Sequence, residues 1–141
     1  MKKDNVVEED ITQLLLSADV EKFKHLQSKV IVSKRLTAKY GRDKDNPVKI
    51  KIGQIPYEKY SKIQVNSISD SGVLDRDRVA DTLAKTVVEG MINPNLKNRE
   101  LQDYFGAANA EKLAYILFQD EIPSIADEIQ NLSENDDKVK N

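Results

Sequence analysis

The stretch Val48-Lys49-Ile50-Lys51-Ile52 decides the fold class, because apolar side chains alternate with lysines over five residues. A period of two places the apolar side chains on one face of a β-strand and the lysines on the other. Upstream, Val30-Ile31-Val32 is β-branched, and an extended pattern continues through Leu36 and Ala38 to a polar break at residues 40–47. We therefore predict an antiparallel β-hairpin over residues 29–53 with one wet, basic face.

Helical spacing of apolar residues is found on both sides of this hairpin, which would be only marginally stable alone. Upstream, the spacing starts at Ile11 after three acidic residues, and Asp19 is placed to cap a second short helix. Downstream, Pro56 opens a helix that ends at a break over residues 69–72.

The longest apolar stripe predicts one helix over residues 76–92, with Asp75 as its N-cap and its core side turned to Val48, Ile50 and Ile52. Three further helices follow, from about Arg99, after Asn109 and over Ile122–Leu132. We predict an α+β fold in which one antiparallel β-hairpin packs against a mainly helical domain. The whole chain, 1–141, is expected to form a single domain with flexible ends at 1–7 and 134–141.

The composition of the 141 residues excludes several classes of protein. Cysteine is absent, which removes disulfides, thiolate zinc sites and thiol nucleophiles together. No apolar run approaches the roughly 20 residues needed to cross a bilayer. The first residues lead into acidic side chains rather than an apolar signal core, so we expect a protein of the reducing cytoplasm.

The residues that catalysis would need are also missing. His25 is the only histidine and lies among lysines, which favours a surface side chain over a general base. Asp43-Lys44-Asp45-Asn46 lacks the central glycine and the closing glutamate of a calcium loop. The five glycines are too far apart for a phosphate-binding loop. We therefore predict no enzyme activity, no cofactor and no metal site.

The charges are strongly polarised along the chain despite a net charge of −2. Residues 29–51 carry eight Lys/Arg against two Asp, whereas residues 100–141 carry ten acidic residues against three Lys. Such a chain can pair with itself, with further copies in a homo-oligomer, or with charged partners. A small nucleic-acid-binding protein that uses the basic hairpin 29–51 is the alternative function. It is less favoured because the strands lack stacking aromatics and the pI is about 5.5.

Several longer segments share the order and spacing of one known family: Lys49–Ile52 leading into Pro56–Tyr60, Val87–Leu101, Tyr104–Ala108, Phe118–Ile122 and Ile125–Ser133. In that arrangement the sequence resembles the phage XkdN-like tail assembly chaperones over about residues 10–133. The resemblance implies a non-catalytic phage or prophage protein of the bacterial host cytoplasm. It also implies binding to the tape measure protein before the tail tube polymerises, and absence from the mature virion.

The surface that binds such a partner is predicted on the C-terminal helices, whose apolar residues exceed what one small hairpin can cover. The candidate groove residues are Tyr104, Phe105, Ile116, Phe118, Ile122, Ile125 and Ile129. An acidic rim would favour a basic helical client or the basic hairpin of a neighbouring copy: Asp120, Glu121, Asp127 and Glu128. The alternative is that the seven residues simply complete the core.

Overall fold

The computed structural model describes residues 8–65 and 76–134, and these residues form eight α-helices and a three-stranded sheet. In chain order the elements are α1 Ile11–Leu16, α2 Val20–Lys24, β1 Ser28–Val32, α3 Lys34–Lys39, β2 Lys49–Gly53, α4 Tyr57–Val65, α5 Arg76–Gly90, β3 Met91–Asn93, α6 Arg99–Tyr104, α7 Ala110–Phe118, a 3₁₀ turn Gln119–Glu121 and α8 Ile122–Glu134. The predicted α+β class is confirmed. The predictions for residues 1–7, 69–72, Asp75 and 135–141 lie outside the described residues, whereas Glu134 ends α8.

The predicted hairpin is present, because β1 and β2 pair antiparallel. Ile31 lies opposite Ile50, and Val30 lies opposite Lys51. Ile50 is buried and Ile31 packs against the core, whereas Val30 and Lys51 are exposed. The alternation therefore produces the covered face and the wet, basic face that the sequence predicts.

The connection between the two strands differs from the prediction, because residues 34–39 form helix α3 rather than extended chain. Ser33 is its N-cap, with Oγ accepting a hydrogen bond from the Leu36 amide at 3.1 Å. The Glu121 carboxylate accepts from two further amides of the first turn, those of Lys34 and Arg35. Tertiary contacts of this kind favour a helix where the local pattern of Leu36 and Ala38 suggested a strand.

The end of the long helix also differs from the prediction. Helix α5 ends at Gly90, and Met91–Asn93 pairs antiparallel with β2 as a third strand. Met91 continues the helical apolar spacing, so periodicity alone does not reveal the change. The free edge of β2 offers unpaired backbone groups, and pairing with β3 satisfies them. The sheet order is therefore β1-β2-β3.

The core lies between the sheet and helices α4, α5, α7 and α8. Ile50 and Ile52 are buried in it together with Val87 of α5. Helix α8 also packs against β2. The prediction that Ile50 and Ile52 face the core side of the helix over 76–92 agrees with this shared cluster, whereas Val48 is only half-buried and lies outside it.

Several local signals have the predicted outcome. Asp19 caps α2 by accepting from the Glu21 amide at 3.1 Å, and Asn109 caps α7 by accepting from Lys112 at 2.9 Å. Gly106 follows α6 with φ +70°, the left-handed conformation in which glycine commonly ends a helix. Each of these signals depends on residues within a few positions of one another.

Candidate interaction surface

The seven predicted partner-binding residues separate into two groups. Four complete the core and are at most 4% exposed: Phe118, Ile122, Ile125 and Ile129. Three are exposed: Tyr104 at 85%, Phe105 at 39% and Ile116 at 37%. The expected groove between the two C-terminal helices is absent from this region, because α8 packs against α5, α7 and β2 and buries its apolar side there.

Two of the exposed residues instead line a groove between α3 and α7, which we call the α3–α7 groove. It consists of two adjoining depressions of about 420 and 320 Å³. Both depressions share the side chains of Leu36, Tyr40, Phe105 and Leu117. Ile116 lines the smaller one. Tyr104 lies outside, but its ring contacts that of Phe105 edge-to-face at a centroid distance of 5.6 Å.

Arg35 fixes the two helices that form the walls of this groove. Its Nε donates to the Leu117 carbonyl at 3.1 Å, and its Nη2 donates to the Ile116 carbonyl at 3.4 Å. Carbonyls at the C-terminal end of a helix lack intrahelical partners and carry partial negative charge. The guanidinium of α3 therefore satisfies the end of α7, and the groove has a preformed shape.

Glu121, on the predicted acidic rim, is engaged by the basic segment of the same chain. Its carboxylate accepts from Ser33 Oγ at 2.7 Å and from the Lys34 amide at 2.8 Å. Glu128 forms an ion pair with Lys29 at 2.8 Å. Part of the charge polarity seen in the sequence is thus satisfied within one molecule, and these two carboxylates are not free to receive a basic client.

The rim of the α3–α7 groove is basic. Arg35, Lys39, Arg42 and Lys49 line it, and no acidic side chain of the described residues does so. Lys39, Arg42 and Lys49 form no ion pair with any residue that the structure describes. An apolar floor with this rim fits an apolar segment that carries acidic residues at its edge.

A second exposed apolar surface lies at residues 8–27, which we call the N-terminal arm; the sequence predicts its helices but not their exposure. Neither α1 nor α2 contains a buried residue. Seven large apolar side chains of the arm are at least 44% exposed: Ile11, Leu14, Leu15, Leu16, Val20, Phe23 and Leu26. The sequence shows that the chain has more apolar residues than its helices and strands can cover. It does not show that the uncovered residues lie in the N-terminal arm.

Glu89 and Tyr115 have shifted pKa values, and both side chains lie away from the groove. Burial alone would raise the pKa of Glu89, but hydrogen bonds from Lys97 and Lys59, both at 2.9 Å, outweigh it and lower the pKa. Burial, together with the nearby charges of Asp81 and Glu111, raises the pKa of Tyr115. Both side chains connect different parts of the fold: Glu89 bonds to Lys59 and Lys97, and the Tyr115 hydroxyl donates to the Ala80 carbonyl.

The positions considered for metal binding or catalysis have ordinary structural roles. His25 is an exposed residue at the C-cap of α2. The Asp43 carboxylate accepts from the amides of Asp45 and Asn46, which forms a local turn. Residues 8–65 and 76–134 contain no group of three or more ligand side chains placed to hold a metal ion. None of their helices is both long and apolar enough to span a bilayer.

Together, these observations define a small α+β protein with a preformed apolar groove that has a basic rim. The phage XkdN-like tail assembly chaperone family matches residues 12–141, which is nearly the whole chain. The chain belongs to this family, and the resemblance noted from its sequence segments is confirmed.

The fold is also found in a solved structure. The crystal structure of the protein YqbN is similar with a TM-score of 0.57 and 15% sequence identity. The similarity covers 77% of this chain and 86% of that one. At this identity the likeness concerns the fold alone. No curated protein sequence matches the chain.

Proposed function

We propose that the protein is a non-catalytic chaperone of phage tail assembly that binds the tape measure protein before the tail tube polymerises around it. Membership of the tail assembly chaperone family is the observation that carries this proposal. The protein would act in the cytoplasm of the bacterial host and be released before the virion is complete. A bound chaperone must leave when the tube closes, so each contact is expected to be weak and reversible.

The α3–α7 groove is the surface that suits this role. A long helical client exposes apolar stripes until the tube encloses it, and an apolar groove can cover part of such a stripe. Phe105 and Ile116 supply exposed apolar surface there, and Lys39 and Arg42 supply positive charge. The rim therefore favours a client segment with acidic flanks rather than the basic helix expected from the sequence. Many copies along one client would raise the overall affinity.

The alternative of nucleic-acid binding receives less support from the structure. Within the basic segment, Lys29 is paired with Glu128 and the Arg35 guanidinium is bonded to α7. Lys49 and Lys51 remain exposed on the wet face, but they lie beside Val30 and Val32 rather than stacking aromatics. Surfaces that bind single-stranded nucleic acid combine positive charge with stacking aromatic side chains. A face of lysines and valines is therefore better suited to a protein partner than to nucleic acid.

Co-expression with the tape measure protein of the same phage tests the proposal. We expect a tagged copy of the chain to retain that protein, and the Ile116→Asp variant to retain about tenfold less. Val65→Asp is the matched control, since Val65 is also an exposed apolar helical residue but lies on α4 outside the groove. Both variants should melt close to the wild-type temperature. Failure of the wild type to retain the tape measure protein would refute the function, and equal retention by Ile116→Asp would refute the groove.

A further inference from the structure

The N-terminal arm and the α3–α7 groove are both uncovered in the single chain, although each has the form of an interface. Leu14 and Leu15 of the arm are each 52% exposed, and Phe23 is 70% exposed. Within the groove, Tyr40 is 68% exposed and Phe105 is 39% exposed. Exposed apolar patches of this kind mark interaction sites, so two of them on one small protein indicate that it binds a further molecule.

The two surfaces are complementary in shape and charge. Ile11, Leu14 and Leu15 have the i, i+3, i+4 spacing that places them on one side of α1. Glu8, Glu9 and Asp10 precede this side directly, and all three are exposed. An apolar helix with an acidic start therefore matches an apolar groove with the basic rim of Lys39, Arg42 and Lys49.

The geometry favours a groove on another molecule. The arm joins the body at Gln27, where the Gln27 amide donates to Gln54 Oε1 at 2.9 Å and the Gln54 amide donates to the Gln27 carbonyl at 2.8 Å. This anchor lies at the Ser28–Gly53 end of the strand pair, whereas the groove opens beside Val48 and Lys49 at the other end. The arm would have to reverse along the sheet to reach its own groove, and in the structure its apolar side chains remain exposed.

We propose that the N-terminal arm of one copy docks in the α3–α7 groove of a second copy. Ile11, Leu14 and Leu15 cover the floor formed by Leu36, Phe105 and Leu117. The acidic residues that open α1 lie against Lys39 and Arg42 of the second copy. The arm would occupy the same groove that we propose for the client, so the two would exclude one another there. The association involves only copies of this chain and is measured without a client, so its failure is distinguishable from failure of the proposed function.

Sedimentation equilibrium of the full chain over a range of concentrations tests the association. We expect the wild type to self-associate and Leu15→Asp to raise the dissociation constant about tenfold or more. Lys39→Glu/Arg42→Glu should have an effect of the same size. Two controls should leave the dissociation constant within about twofold of the wild type: Val65→Asp for the apolar change and Lys44→Glu/Lys51→Glu for the charge change. Thermal melts establish that every variant is folded.

Mixing two variants identifies the arm and the groove as the two sides of one contact. Leu15→Asp keeps an intact groove, and Lys39→Glu/Arg42→Glu keeps an intact arm. Each should be largely monomeric alone, and an equimolar mixture should form a heterodimer. A wild type that stays monomeric at high micromolar concentration would overturn the proposal, as would a mixture that stays monomeric. If Lys39→Glu/Arg42→Glu does not fold, Ile116→Asp replaces it as the groove variant.

Discussion

Glu121 joins parts of the chain that are almost ninety residues apart. Its carboxylate accepts hydrogen bonds from the Ser33 hydroxyl at 2.7 Å and from the amides of Lys34 and Arg35 at 2.8 and 3.3 Å. Amides in the first turn of a helix have no intrahelical acceptor, and a negative charge there is favourable. One side chain of the 3₁₀ turn therefore supports the start of α3 and one wall of the groove.

Substituting Glu121 tests this support. We expect Glu121→Gln to lower the free energy of unfolding by about 1–3 kcal/mol, because the neutral amide loses the charge and retains one oxygen for three donors. Urea denaturation at neutral pH measures the change. Asp120→Asn is the control, since Asp120 is the exposed neighbour in the same 3₁₀ turn. Equal stability of the two variants would contradict the role given to Glu121.

Glu89 provides a pH-dependent contribution to stability. Its lowered pKa means that the ionised form stabilises the fold above the ordinary glutamate pKa of about 4.3, and that this contribution is lost as the pH falls through the folded-state pKa. We expect Glu89→Gln to be less stable than the wild type at pH 7, by about 1 kcal/mol or less because both lysines are half-exposed. The difference should shrink as the pH falls below about 4.3.

Denaturation of both proteins between pH 7 and pH 3 measures this difference. Glu58→Gln is the control, because the pair of Glu58 with Lys62 is longer, at 3.8 Å, and both side chains are largely exposed. It should show little effect at any pH. A Glu89→Gln difference that stays constant over the whole range would contradict the assignment.

Among the described helices, α5 and α8 make the most extensive contact, and Gly90 lets the two helices approach each other there. A Cβ at this position would lie 2.6 Å from two side-chain carbons of Ile129. Ile129 is fully buried and branched, so it cannot move aside without disturbing its neighbours. The absence of a side chain at the end of α5 is therefore a packing requirement.

Gly90→Ala is expected to destabilise the protein by about 1–3 kcal/mol, although alanine is the better helix former. Thermal or chemical denaturation checks this. Gly53→Ala is the comparison, since its Cβ would meet the end of the Ile92 side chain at 2.6 Å, and Ile92 is 49% exposed and free to turn. The Gly90→Ala penalty should largely vanish when Ile129 is also alanine. A penalty that persists would indicate a backbone cause instead.

The elements that could be predicted from the sequence are those with local causes. The period of two in β2 and the caps at Asp19 and Asn109 depend on residues near one another in the chain. Helix α3 and strand β3 depend on distant partners, namely Glu121 and the free edge of β2. Their own residues fit more than one structure, so local patterns cannot decide between them.

At the scale of the whole molecule, the surface also has features that local sequence predicts and features that depend on distant partners. The sequence shows that apolar residues on the C-terminal helices need cover, but it does not show that α8 finds that cover against α5 and β2. Ile125 and Ile129 are thereby core residues, and Ile116 and Phe105 lie at the groove. The polarity of charge could be predicted, and the ion pair of Lys29 with Glu128 is one of its results.

Helix α5 passes into strand β3 without an intervening turn, since Gly90 ends one and Met91 begins the other. Neither element can therefore open while the other keeps its hydrogen bonds in register. We expect the backbone amides of residues 87–91 to exchange with deuterium in one cooperative step and to be among the slowest in the chain. The amides of α1 and α2, which bury no residue, should exchange fastest. Separate exchange rates on the two sides of Gly90 would show that helix and strand open independently. A common rate would show that they open as one unit, and that this unit couples the sheet to the helical layer.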